Sequence, residues 1–135
     1  MLLQPKRTKY KKSKKGKLPK FNFKSNQLQF GTYGIKSVES GILSAKQIES
    51  ARQVLNRKLK RKGKVWVRVF PFLPVTSKPT EVRMGKGKGN ISHWVVKIAS
   101  GTVLFEICSR NDFTSLIALK SCSKKLPLKT KLINF

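Results

Sequence analysis

Lys64-Val65-Trp66-Val67-Arg68-Val69-Phe70-Pro71 alternates without a break. Successive side chains of an extended chain leave on opposite faces, so Val65, Val67 and Val69 point one way and Trp66, Arg68 and Phe70 the other. β-branched and aromatic residues at this period predict a strand, and two substantial faces predict one covered on both sides. On that reading Trp66 and Phe70 are core side chains instead of base-stacking surfaces. Pro71 and Pro74 break the strand.

The segment before it has a different period. Ser44-Ala45-Lys46-Gln47 is a capping-box pattern, and Ala45, Ile48, Ala51, Leu55 and Leu59 follow at spacings of three or four. That makes a helix with one apolar stripe, basic on its other faces through Lys46, Arg57, Lys58, Lys60 and Arg61, and ended by Gly63. Upstream, Leu28, Phe30 and Ile35 form a short strand interrupted by Gly31 and Gly34, and Gly41 closes a turn. Downstream, Trp94, Val96 and Ile98 face Val103, Phe105 and Ile107 across a turn at Gly101, which reads as a hairpin. Asp112 caps a second helix using Phe113, Leu116, Ile117 and Leu119. Leu128, Thr130 and Leu132 alternate with Lys129 and Lys131 in a last strand. The expected fold is α+β: a compact two-layer α/β domain with a mixed or antiparallel sheet and two helices. It spans residues 25–135 and follows a basic, disordered tail at residues 1–24.

Between the central strands lies Lys78-Pro79-Thr80-Glu81-Val82-Arg83-Met84-Gly85-Lys86-Gly87-Lys88-Gly89-Asn90. Glycine has no side chain to hold a partner away, so this backbone can approach a sugar-phosphate strand and aim N–H groups at its oxygens. Lys78, Lys86 and Lys88 add point charges, and Arg83 a planar fork suited to phosphate or a guanine edge. Counted from Gly85, Asn90 stands where both a P-loop and a dinucleotide fingerprint require glycine. Mononucleotide and dinucleotide cofactors are therefore not expected.

Charge points the same way. The 135 residues carry 31 Lys and Arg against 5 Asp and Glu, a net charge of +26. Self-repulsion of that size calls for a polyanionic partner, nucleic acid ahead of an acidic membrane surface. No apolar run approaches the roughly 20 residues a spanning helix needs. The tail holds Lys6, Arg7, Lys9, Lys11, Lys12, Lys14, Lys15 and Lys17 with no acid, and reads as a nucleic-acid arm. Cys108 and Cys122 make no C-x-x-C motif, which fits a reducing compartment. His93 is the sole histidine, and Glu39, Glu49, Glu81, Glu106 and Asp112 are scattered, so neither a metal cluster nor an acid–base pair is visible. No enzyme, cofactor, metal or small-molecule substrate is expected. Composition alone leaves open a free RNA chaperone or tRNA-binding module, and a small basic nuclease.

Together these segments resemble the bacterial-type large-subunit ribosomal protein L-sixteen family. The similarity runs through Pro5-Lys6-Arg7-Thr8-Lys9, Gln47-Ile48-Glu49, Gly63 to Pro71, Lys78-Pro79 with Val82 to Asn90, Trp94-Val95, Leu104-Phe105-Glu106, and Lys125 to Thr130. The resemblance implies a subunit on large-subunit rRNA beside the A and P tRNA sites, near the peptidyl transferase centre and in contact with neighbouring large-subunit proteins. It implies that Arg83, Met84, Gly85, Lys86, Gly87, Lys88, Gly89 and Asn90 point into RNA. It also implies that Arg83 matches a position hydroxylated in bacterial members. Two stretches depart from the family: the second helix lacks its alanine-rich character, and Cys108-Ser109-Arg110 replaces an acidic turn. Lysine outnumbers arginine 24 to 7, a bias resembling organelle-encoded members, Lys78-Pro79-Thr80-Glu81-Val82 resembles mitochondrial more than plastid versions, and the family pattern begins almost at Met1, so no cleaved presequence is expected. The expected location is a mitochondrial ribosome, with a plastid or bacterial one as the alternative.

Overall fold

In the computed structural model, which describes residues 3–60 and 62–134, the elements run β1 (Tyr33–Ser37), β2 (Gly41–Ser44), α1 (Ala45–Lys58), β3 (Gly63–Val67), β4 (Leu73–Ser77), β5 (Asn90–Ile98), β6 (Val103–Ser109), α2 (Asp112–Ser123) and β7 (Thr130–Asn134). The α+β class with two helices holds among the described residues. The strands divide between two sheets, one of order β3-β6-β1-β7 and one of order β2-β5-β4, and every pairing between them is antiparallel.

The first helix forms as its spacing predicts. The Gln47 N–H donates to Ser44 Oγ at 3.3 Å while the Ser44 N–H donates to Gln47 Oε1 at 2.9 Å. This reciprocal cap satisfies two N–H groups that a helix start otherwise leaves without partners. Ile48, Ala51, Leu55 and Leu59 are buried. The helix stops earlier than expected: Leu59 is the C-cap, and Lys60, at φ +49°, reverses the chain. Gly63 is the first residue of β3. Burying Leu59 at the end of the stripe, instead of a glycine, sets where the helix ends.

Other expectations give way to packing. β5 and β6 do not form a hairpin. The chain does turn at Gly101, but β5 is flanked by β2 and β4 while β6 is flanked by β3 and β1, so neither has an edge left for the other. β3 is an edge strand with Val65, Trp66 and Val67 only half-buried, and Phe70 lies beyond its end at 47% exposure. The doubly covered strand is β6, where Val103 to Ile107 are all buried. Pro74 sits inside β4, tolerated because β4 is also an edge. The first strand starts at Tyr33; Leu28 and Phe30 belong to an irregular segment lying over β6. The cap of α2 is Asn111, whose Oδ1 accepts from the Thr114 N–H at 3.3 Å. Its buried residues are Ser115, Ala118, Leu119 and Cys122, because the small ones let it pack closely on α1, and Phe113, Leu116 and Ile117 stay at the surface.

One core cluster joins the two sheets and both helices through Ile35, Leu43, Leu55, Ile98, Phe105 and Leu119 among others. Leu55→Ala is expected to destabilise the fold by about 2–5 kcal/mol, since a fully buried leucine loses its transfer energy and leaves a cavity. Urea unfolding followed by circular dichroism measures this. Near-wild-type stability would place the stripe at a surface.

Candidate nucleic-acid interface

β4 and β5 pair up to Ser77 and Asn90, so the glycine-rich segment is the connection at the free end of a hairpin. Lys78 to Lys88 are all exposed, Met84 at 98%. The Val82 N–H donates to Pro79 O at 3.2 Å and starts the turn. Gly85, Lys86 and Gly87 then follow with φ of +91°, +51° and +86°. A Cβ built on Gly87 would have no atom within 4 Å. Backbone angle and not crowding requires glycine there. Lys78 Nζ donates to Gly85 O and steadies the tip. Arg83 and Lys86 make no side-chain hydrogen bond or ion pair among the described residues, which leaves a planar fork and an ammonium facing solvent.

Tail and loop, far apart in sequence, meet. Lys12 Nζ donates to Lys88 O at 2.7 Å, and Lys88 Nζ donates back to Ser13 O. Lys97, on β5, donates to Lys15 O and, at 3.1 Å, to Lys17 O. The tail therefore runs from the loop along the three-stranded sheet until the Asn22 N–H reaches Ser100 O at 3.0 Å. Residues 3–20 contain no helix or strand, yet Lys12, Ser13, Lys15 and Lys17 are tied to the loop and to β5, and Lys6, Arg7, Lys9, Lys11, Lys12, Lys14, Lys15 and Lys17 are all exposed. The alternation that put Trp94, Val96 and Ile98 on one face already put Lys97 on the other, though nothing in sequence showed what it would hold.

The helix contribution is separate. Arg57 and Lys60 are exposed at the end of α1, where Lys60 flanks a recess lined also by Lys62, Ser109, Asn111 and Thr114. Arg61, Met1, Leu2 and Phe135 lie outside the described residues.

Four of the five acids have partners in the fold. The Lys129 N–H donates to Glu39 Oε1 at 2.9 Å, and Arg52 pairs with Glu49 at 2.6 Å. The Arg52 hydrogen bond, working against partial burial, brings the Glu49 carboxyl down to about 2. Desolvation, and after it the hydrogen bond and charge of the neighbouring Asp112, raise the Tyr33 phenol. Glu106 is fully buried and accepts the backbone N–H groups of Gln29, Phe30 and Gly31 at 3.1, 2.7 and 2.9 Å as well as the Arg68 guanidinium. Cys108 is exposed and Cys122 buried, and burial pushes the Cys122 thiol up to about 12. Selective alkylation of Cys108 in the folded chain is the expected result, read by mass spectrometry; equal labelling of both would contradict the packing of α2 on α1. Among the described residues no helix is long and apolar enough to cross a membrane.

Residues 5–133 match the family model described as ribosomal protein L16p/L10e. The chain is 50% identical over 129 residues to the large ribosomal subunit protein uL16 of Buchnera aphidicola subsp. Cinara cedri, covering 96% of this chain and 94% of that one. It is 48% identical over 132 residues to the protein of the same name from Bartonella bacilliformis, covering 98% and 96%. Against that of Halorhodospira halophila it is 46% identical over 133 residues, covering 98% and 97%.

Proposed function

The chain belongs to the ribosomal protein L16p/L10e family, and from that premise we propose that it binds large-subunit rRNA and organises the A and P tRNA sites near the peptidyl transferase centre. Its role is that of a structural constituent of the ribosome and not that of an enzyme. The observation that carries the finer reading is the meeting of tail and loop at Lys12, Ser13 and Lys88, with Arg83 and Lys86 left free at the tip. Two segments poor in apolar residues come together into one cationic surface, and a glycine backbone at its tip admits close approach of phosphate. The tail (1–24) supplies affinity, and the domain (25–135) places the loop against RNA and tRNA. Arg57, Lys60 and Arg61 form a second contact with rRNA.

Co-sedimentation of the tagged protein with large subunits through a high-salt gradient tests this. A fitted subunit stays bound, whereas release into the free fraction would indicate a loosely bound RNA chaperone. Placement in a mitochondrial ribosome rests on the lysine bias and on Lys78-Pro79-Thr80-Glu81-Val82, while the relatives above are bacterial. Recovery of the protein in ribosomes of purified mitochondria is expected, and recovery only elsewhere sinks that placement.

The tail's share is electrostatic. Converting Lys11, Lys12, Lys14 and Lys15 to glutamine is expected to flatten the salt dependence of rRNA-fragment binding. The slope of log K against log salt falls by roughly 0.7–0.9 for each phosphate no longer neutralised. Filter binding at several salt concentrations measures it, and an unchanged slope would mean that these lysines touch no phosphate.

A further inference from the structure

Trp66 is expected from sequence to be core, yet it lies half-buried on an edge strand with its ring against a more exposed phenylalanine. Phe30 is 58% exposed, and its ring is nearly parallel to that of Trp66, at 21° and 6.2 Å between centroids. Lys64 Nζ lies 5.2 Å from the centroid of Trp66, and the Arg68 guanidinium 5.1 Å from that of Phe30. An exposed aromatic ring on an irregular segment ordinarily samples several positions. Here the backbone beneath it is fixed. Buried Glu106 accepts the N–H groups of residues 29, 30 and 31, and it holds Arg68, whose Nη2 donates to Gln29 Oε1 at 2.8 Å. Gly31 lies so close to β6 that a Cβ would come within 2.6 Å of Ile107 O. A buried ion pair whose hydrogen bonds pin a surface phenylalanine marks that ring as preorganised for a partner.

We propose that Phe30 and Trp66 form a stacking platform for an unpaired RNA base whose flanking phosphates meet Lys64 and its exposed neighbour Lys62. This rests on the reading above that the partner is rRNA. Stacked rings flanked by cations are the chemistry of single-stranded nucleic-acid sites, because every base has a π face and every link a charge. Among the described residues β3 pairs only with β6, so the backbone on its outer side is open to bond a base edge. A purely apolar protein anchor would desolvate Lys64 and gain nothing from it. The platform is separate from the tail and the glycine loop.

The test uses the full chain with a short oligoadenylate and with an abasic ribose-phosphate oligomer of the same length and charge. The unmutated chain should prefer the oligoadenylate by roughly tenfold or more, the scale of one stacked base. Phe30→Leu should lose that preference and keep both the melting temperature and the salt slope; Phe30→Tyr, which keeps the ring, should retain it. Oligoadenylate should quench tryptophan emission in the unmutated chain and not in Trp66→Phe, where only Trp94 emits. Base preference persisting in Phe30→Leu, or quenching persisting in Trp66→Phe, would overturn the proposal. So would particles carrying Phe30→Leu that lose a neighbouring protein while base preference is intact, which would assign the face to protein. Binding of neither oligomer by the unmutated chain would overturn the rRNA reading itself.

Discussion

Glu106→Ala is expected to cost about 3–5 kcal/mol of folding stability, the scale for removing one partner of a buried ion pair. The carboxylate has no exposed surface and the Arg68 side chain is 14% exposed. Truncation leaves a guanidinium without its counter-charge and three backbone N–H groups without an acceptor. Each unsatisfied buried donor costs about 1–3 kcal/mol, and the losses overlap because the segment from Gln29 to Gly31 lifts away as one piece. Against a total stability of about 5–15 kcal/mol for an ordinary domain, that is a large share, and at the lower end of the range it leaves a substantial unfolded fraction. Glu106→Gln keeps the shape and one acceptor oxygen but turns its amide toward Arg68, so an intermediate loss is expected. Urea unfolding at fixed ionic strength measures both, and Glu106→Ala within about 1 kcal/mol of wild type would show that water replaces the carboxylate.

The same group sets an acid limb. Burial alone would push the Glu106 carboxyl up; the N–H groups of Phe30, Gly31 and Gln29 and the Arg68 guanidinium outweigh it and hold the carboxyl below the usual range. A carboxyl depressed in the folded state contributes stability that is present above its unfolded value of about 4.3 and lost as pH falls through its folded value. Glu49, brought down to about 2, acts in the same direction. Wild-type stability should therefore fall from about pH 5 downward, and Glu106→Gln should show a shallower fall. Equal slopes would place the acid sensitivity in other carboxylates.

Local chemistry made much of the fold legible. The Ser44–Gln47 cap and the stripe from Ile48 to Leu59 are set by neighbours within a few residues, and they form as the spacing predicts. What alternation misplaced was the covered strand: it put Lys64 to Phe70 there, where the fold puts β6. Alternation in Lys64 to Phe70 and in Val103 to Ser109 looks alike, yet only β6 is flanked on both sides, and that depends on β1 and β3 arriving from distant parts of the chain. For the same reason Gly101 suggested a hairpin: a turn is local, while the choice of sheet is not. Apolar residues on both sides of α2 gave no preferred face until α1 selected the small ones. At the candidate site the residue types were visible, but the contact of Lys12 with Lys88 spans 76 positions and has no local signature. Glu106 is the plainest case. In sequence it is one scattered acid, and only the approach of residues 29–31 and Arg68 gives it a role.

Gly87→Val is expected to leave the isolated chain folded and to impair the assembled particle strongly. At φ +86° a β-branched residue is strained, so the loop must rebuild its turn. No packed atom lies within 4 Å of the new Cβ, and the surrounding residues are solvated, so that rearrangement stays within the hairpin tip and melting changes little. On the function proposed above, the side chain would occupy the space through which the glycine backbone approaches RNA, and the displaced tip would carry Arg83 and Lys86 with it. Peptide-bond formation and tRNA binding by particles assembled with the variant should fall by an order of magnitude or more, because misplacement of about 1 Å near a reacting centre can cost about a hundredfold. Lys86→Ala with Lys88→Ala separates charge from shape: it leaves the backbone angles alone, removes the Lys88 bond to Ser13, and should weaken tRNA binding more mildly. Incorporation into subunits is measured alongside, so that a failure of assembly is distinguished from a failure at the tRNA site. Full activity of Gly87→Val particles would leave the loop an inert hairpin. Unfolding of the isolated variant would show instead that the positive φ at this tip is needed to bring β4 and β5 into register, and that the glycine acts through the fold.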